Sequence, residues 1–292
     1  MKSGSINAKN YTPKHDFLVC IDSDGCAFDT MEIKHKECFC PAAINAWNLQ
    51  PVSSYAREAW EFVNLYSTTR GCSRFHAMVK VLDFLAERKE VKMRNFKMPE
   101  YDRFKHWVDT APILNNDMAA KHADDPQMAR VLNWSLDTNK RIAEMVHGIP
   151  PFPFVRESLE KLFNTADIVI VSATAREALL KEWHEHKTDQ YISLLGAQED
   201  GSKQEIIAMV KDHYKPDNCL MIGDAPGDHK AAVANGILFF PIYPLNEISS
   251  WEDFYREGID LFISGKYKGN EMNKRYERFM SCLPDSPPWL HK

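Results

Sequence analysis

With 292 residues, 44% of them apolar and 26% charged, the chain has the makeup of a soluble globular protein, long enough for one sizeable domain or two modest ones. Lys and Arg total 36 against 41 Asp and Glu, a slightly acidic balance that gives no reason to expect nucleic acid or an anionic membrane as the main partner. The seven cysteines are odd in number, scattered, and contain no Cys-x-x-Cys pair, which argues against a disulfide framework or zinc ribbon and for reduced thiols.

The opening stretch through Asp16 is polar and does not read as a secretory signal, and no apolar run approaches the length of a membrane span, so a cytoplasmic protein is the expectation. Phe17-Leu18-Val19-Cys20-Ile21 is then a nearly continuous apolar run that stops at Asp22, as suits a strand buried on both faces of a parallel sheet. From 31 to 148 the pattern turns helical. Phe75, Met78, Val79, Leu82 and Leu85 share one helical face behind a Ser73 cap. A second helix opens at Asp125-Pro126 and runs through Met128, Val131, Leu132, Ile142 and Met145 towards Gly148. Apolar runs return at Ile168–Val171, Ile192–Leu195, Cys219–Ile222 and Ile237–Phe240, with helical patterns at 154–163, 175–186, 203–213 and 228–235. Strand and helix alternate, which predicts a doubly wound α/β domain with an all-helical module inserted after its first strand. Towards the end, a helix is expected near Trp251–Arg256, and the last ten residues are Pro-rich and irregular in pattern.

Active sites of open α/β sheets lie beyond the carboxyl ends of the strands, so the polar residues following each run matter most. After the first come Asp22-Ser23-Asp24-Gly25. Two carboxylates projecting to one side of a strand end repel unless a cation joins them, and the alternatives are an acidic turn or a calcium loop. A calcium loop wants glycine at its sixth position and Glu at its twelfth, where this chain has Ala27 and Ile33. After the second run come Ser172-Ala173-Thr174, whose hydroxyls and amides can hold phosphate oxygens or simply cap the following helix. Lys203 opens a helix after Gly201-Ser202; alone it reads as a surface group. Gly223-Asp224-Ala225-Pro226-Gly227-Asp228 is a tight acidic turn after the fourth run, readable also as an ordinary loop with Asp228 as a cap.

The order of these signals, paired Asp, Ser, Lys, then Gly-Asp-x-x-x-Asp, resembles the four motifs of the haloacid dehalogenase (HAD) superfamily, over residues 15–30 and about 150–243. The resemblance implies a Rossmann-like core from 1–30 and 149–292 and a helical cap from 31–148, similar to the β-phosphoglucomutase and phosphoglycolate phosphatase-like group. It implies Asp22 as the nucleophile, Asp24 as general acid and base, and Lys203 as the balancing cation. Mg²⁺ would be held by the Asp22 carboxylate, the Asp24 backbone carbonyl and Asp224, with Asp228 in support. Ser172 and neighbouring amides such as that of Ala173 would bind phosphate. Two departures are visible: Cys26 stands where many members have Thr, and Lys203 lacks the proline often beside it.

In the cap, Arg70-Gly71-Cys72-Ser73-Arg74-Phe75 resembles the substrate-specificity loop of helical-cap members, which implies that Arg74, with Arg70 as a second candidate, reaches the far end of a substrate; the alternative is a surface arginine beside a helix cap. Asp29-Thr30-Met31-Glu32 matches the same group's hinge, and Lys34, His35 and Lys36 beyond it either face the cleft or are solvated. His184 and His186 do not share a helical face, so they are not read as a metal pair. The expected function is Mg²⁺-dependent hydrolysis of a small phosphomonoester. A sugar phosphomutase on the same scaffold and a catalytically silent binding protein are the alternatives. A receiver-type phosphoacceptor is disfavoured by motif order and length.

Overall fold

The computed structural model describes residues 11–290; residues 1–10, where most of the polar opening falls, and 291–292 lie outside the described residues. Backbone contacts gather the chain into two units, one formed by residues up to Thr30 together with Gly148–Cys282, the other by Met31–His147 together with the residues from Leu283 on.

The first unit is built on five parallel strands, β1 Phe17–Ile21, β2 Ala166–Val171, β3 Leu194–Gly196, β4 Cys219–Gly223 and β5 Leu238–Pro241, in spatial order β3-β2-β1-β4-β5. The strands are apolar because both faces are covered. Val19, Ile21, Ile168, Ile170, Leu220 and Ile222 pack into one cluster with Leu159, Trp183, Trp251 and Phe254. The alternating Leu18, Cys20, Val169, Val171 and Met221 are equally buried on the opposite face. Strand order turns back between β1 and β4, the point where such sheets open a crevice at their carboxyl ends.

The helices between strands fall at Val155–Leu162, Arg176–Glu185, Lys203–Lys211 and Pro226–Asn235, close to the predicted spans. Two strand limits differ. β2 begins at Ala166 because Asp167, which interrupts the apolar pattern, is fully buried inside the strand. β3 begins at Leu194, since Ser193 turns its N–H to Ile168 O and its hydroxyl to Asp167. The helix expected at Trp251–Arg256 starts at Glu247 and continues through a π-helical turn, Phe254–Gly258, to Ile263.

The second unit is helical throughout its principal elements, including Ser53–Asn64, Arg74–Glu87, Asp102–Thr110 and Pro126–Met145. Ser73 and Asp125 cap two of these as expected. Trp47, Trp60 and Phe75 each meet Trp134 edge-on at 5.3, 6.1 and 6.2 Å, giving the unit an aromatic centre. A π-helical turn at Lys34–Phe39 precedes Pro41, which has no N–H to return to Glu37 O. The end of the chain from Leu283, expected with the α/β core, instead belongs to this helical unit. Trp289 anchors it, a contact that a Pro-rich stretch without periodicity does not announce. Among the described residues no helix is long and apolar enough to cross a membrane.

Candidate active site

β1 and β4 lie side by side, so the residues just beyond their ends become neighbours. Asp22 N–H still follows the sheet, donating to Ile222 O at 3.0 Å, which carries the carboxylate to the rim of the crevice. The carboxylates of Asp22, Asp224 and Asp228 converge there, with ligand atoms within 4.8 Å of one another and all three residues buried. Lys203 reaches into the group from the first position of its helix. Its Nζ stands 2.9 Å from Asp22 Oδ2 and 2.5 Å from Asp228 Oδ1. Lys203 stands 181 positions from Asp22 in the chain, and only the fold explains why it is not a surface group.

Asp228 is a scaffold within the cluster. Its Oδ2 accepts from the backbone N–H of Asp224 and Ala225 at 3.1 and 3.0 Å, while Oδ1 takes Lys203. It thereby holds the turn that presents Asp224. Gly223 precedes that turn for a steric reason: a Cβ there would fall 2.4 Å from Asp228 atoms.

Three carboxylates and one ammonium leave an excess of negative charge in a buried place, which is costly without a further cation. Burial pushes the Asp22 carboxyl well above its usual range; Lys203 opposes this, and Asp228 and Asp224 add to it. Burial works against the charge on Lys203, but Asp22 and Asp228 outweigh it and hold the ammonium. An all-oxygen donor set with surplus negative charge fits a hard divalent cation such as Mg²⁺. Cys26 is buried with Sγ 3.6 Å from Ile222 O; burial and the three aspartates push its thiol well up, so it is an inert packing group.

Asp24 has a different environment. It is only partly buried, and two hydroxyls hold it: Thr30 Oγ1 donates to Oδ1 at 2.6 Å and Thr174 Oγ1 to Oδ2 at 2.8 Å. Neither threonine is singled out for this task by sequence pattern. Thr174 lies in the turn after β2 with Ser172 and Ala173, and Thr30 lies six residues past Asp24. Ser172 is buried and its Oγ accepts from Thr174 N–H at 3.2 Å, while Ala173 is exposed at the tip of the same turn. Neither hydroxyl caps the next helix. Its N-cap position is Ala175, and Glu199 from the neighbouring turn accepts the Arg176 N–H.

The remaining sequence candidates lie in the helical unit. Arg74 opens its helix with Nη1 donating to Ser135 Oγ at 3.0 Å and Asn139 Oδ1 at 2.7 Å, and its guanidinium stands over the Phe39 ring at 4.7 Å. Burial pulls its pKa down to about 10, which leaves it charged near neutral pH. Arg70 is buried and donates to Leu65 O at 2.8 Å. Lys36 is held within the unit by Glu32 and by Tyr66 OH at 3.1 Å. His35 accepts from Trp60 Nε1 at 3.2 Å and stacks on Phe39.

No family model matches the chain, and no curated protein sequence matches it. Solved structures to which it is similar include a HAD-superfamily hydrolase, subfamily IA, variant 1, from Geobacter sulfurreducens PCA, at 13% identity over 79% of this chain and 90% of that one, with a TM-score of 0.38. A HAD-superfamily hydrolase from Ehrlichia chaffeensis gives 14% identity over 87% and 99%, with a TM-score of 0.40. A predicted phosphoglycolate phosphatase from Haemophilus somnus 129PT gives 14% over 78% and 86%, with a TM-score of 0.41. These structural neighbours are HAD-superfamily hydrolases and phosphatases.

Proposed function

We propose that the chain is a Mg²⁺-dependent phosphomonoesterase of the HAD superfamily, acting on a small phosphorylated metabolite through an aspartyl-phosphate on Asp22. The observation that carries this reading is the convergence of Asp22, Asp224 and Asp228 around Lys203 at the end of β1, with Asp24 held apart from the cluster by two hydroxyls. The two paired aspartates have been given separate environments, as separate chemical roles require.

Asp22 attacks phosphorus, the P–O bond to the leaving group breaks, and the phosphoryl group rests on the Asp22 carboxylate. Asp24 gives its proton to the leaving oxygen, then takes one from the water that opens the acyl phosphate. Lys203 offsets part of the cost of ionising the buried Asp22. A bound Mg²⁺, held by Asp22, Asp224 and the Asp24 carbonyl, supplies the positive charge that lets a phosphate dianion approach these carboxylates. Ser172 and the exposed turn at Ala173 and Thr174 offer donors to the phosphate oxygens. Arg74, whose guanidinium donates to the neutral acceptors Ser135 Oγ and Asn139 Oδ1, is the proposed contact for an anionic group at the far end of the substrate.

The test is phosphate release from a panel of phosphorylated metabolites, with sugar bisphosphates included to reveal mutase cycling. Asp22→Asn should lower the rate at least about 1000-fold, and chelator should abolish release until Mg²⁺ is restored. Full activity of Asp22→Asn, or activity indifferent to chelator, would sink the mechanism.

A further inference from the structure

Ser23 stands between the nucleophile and the acid/base, in the turn just past β1, yet its side chain is engaged by a neighbouring helix. It is fully buried, so it meets no substrate. Its hydroxyl lies between two residues of the helix Arg176–Glu185. Trp183 Nε1 donates to Ser23 Oγ at 2.9 Å, and Ser23 Oγ donates to Glu182 Oε2 at 2.8 Å. An indole N–H only donates and an ionised carboxylate only accepts, so the hydroxyl proton has a single direction. The backbone of Ser23 is engaged too. Its N–H donates to Asp22 Oδ1 at 2.9 Å, and its carbonyl accepts from Ala27 and Phe28 N–H at 2.9 and 3.0 Å. Trp183 is itself fixed, fully buried and edge-on to Phe28 at 5.1 Å.

We propose that Ser23, Trp183 and Glu182 form a positioning relay that pins the peptide between Asp22 and Asp24 and so sets where the nucleophile and the acid/base stand relative to each other. Asp22 Oδ2 is held by Lys203 and Oδ1 by the Ser23 amide, so a twist of that amide turns the attacking carboxylate. The same twist moves Asp24, one residue on. The relay rests on the phosphohydrolase reading and refines it: one hydroxyl, outside the site, governs both carboxylates inside it.

Four variants test it, assayed at a temperature where circular dichroism shows each to be folded. Ser23→Ala should lower kcat by about tenfold with KM changed less than about twofold, since the relay touches no substrate. Ser23→Thr, which keeps the hydroxyl, should restore most of that loss. Glu182 is only partly buried, so Glu182→Ala folds even if Ser23→Ala does not. It should lower kcat about threefold to tenfold, whereas Glu182→Gln, which keeps an acceptor oxygen, should recover it. Parental kcat in both alanine variants, or equal losses in Glu182→Ala and Glu182→Gln, overturns the relay and leaves the hydrolase reading standing. A parent that releases no phosphate from any substrate overturns the hydrolase reading, and the relay's catalytic role with it.

Discussion

Asp167 occupies the interior of β2 with no exposed surface, and its carboxylate survives there because its partners are all donors. Lys14 N–H and His15 N–H reach Oδ2 at 2.8 and 3.0 Å, Tyr214 OH reaches the same oxygen at 2.8 Å, and Ser193 Oγ reaches Oδ1 at 3.1 Å. Burial opposes the charge, but these hydrogen bonds outweigh it and hold the carboxyl below its ordinary value. The sign follows from that depression. The stabilisation is fully present above the unfolded-state pKa of about 4 and is lost as pH falls through the lower folded value. Chemical denaturation at descending pH should therefore show the parent losing stability below about pH 4, and Asp167→Asn showing a flatter slope there. At neutral pH Asp167→Ala should cost about 2–4 kcal/mol, because several donors lose their acceptor together. The same residue marks a limit of sequence reading. An Asp beside Ile168-Val169-Ile170-Val171 looks like a strand boundary, since its donors come from positions 14, 15, 193 and 214. Asp22, Asp24, Asp224 and Asp228 were legible for the opposite reason: each stands at the end of an apolar run or in the turn just after it. Thr174 also stands just after an apolar run, but nothing in the pattern assigns it, or Thr30, to Asp24.

Strands and turns of the α/β unit were readable because a parallel sheet buried on both faces leaves long apolar runs, and each run ends where the crevice begins. The turn after β4 shows what the motif letters stand for physically. Its two glycines have unlike tasks. At Gly223 any Cβ would meet Asp228 Cβ, Cγ and Oδ2 at 2.4 Å, so the glycine exists to let Asp228 close over the strand end. At Gly227, exposed near the start of the following helix, a Cβ meets nothing within 4 Å. Gly223→Ala should thus push Asp228 off Lys203 and off the Asp224 and Ala225 amides, destabilising the protein by about 2–4 kcal/mol and removing phosphate release together with Mg²⁺ affinity. Gly227→Ala should be neutral or stabilising by up to about 1 kcal/mol, from the lower entropy of the unfolded chain and better helix propensity. Melting curves and Mg²⁺ titrations on the two variants measure the contrast. Equal effects at both positions would remove the steric explanation for the first glycine.

At the scale of the whole chain, an inserted module predicts two crossings between units, one entering near 31 and one leaving near 148. The chain makes a third, after Cys282. From Leu283 the tail joins the helical unit, where Thr68 Oγ1 donates to Asp285 Oδ1 at 2.6 Å and Trp289 meets Phe62 and Phe84 edge-on at 5.7 and 6.0 Å. Arg88 lies over the same indole at 4.6 Å while pairing with Glu58 at 2.6 Å, and it faces Tyr55 at 4.5 Å. One tryptophan thereby joins the helices Ser53–Asn64 and Arg74–Glu87 through ring contacts and through a guanidinium they share. No pattern in the sequence foretells this, because the partners are scattered over more than 200 positions and the tail has neither helical nor strand periodicity. Trp289→Ala should cost about 2–4 kcal/mol, the range for an aromatic that is largely but not wholly buried and that also loses a cation–π partner. Removing residues 283–292 should cost at least as much. In both variants hydrogen exchange should quicken in Ser53–Asn64 and Arg74–Glu87, while β1, β2 and β4 keep their protection, because Asp285 and Trp289 make these contacts within the helical unit. Faster exchange in the strands instead would mean that the tail stabilises the α/β unit by a route other than the contacts of Asp285 and Trp289.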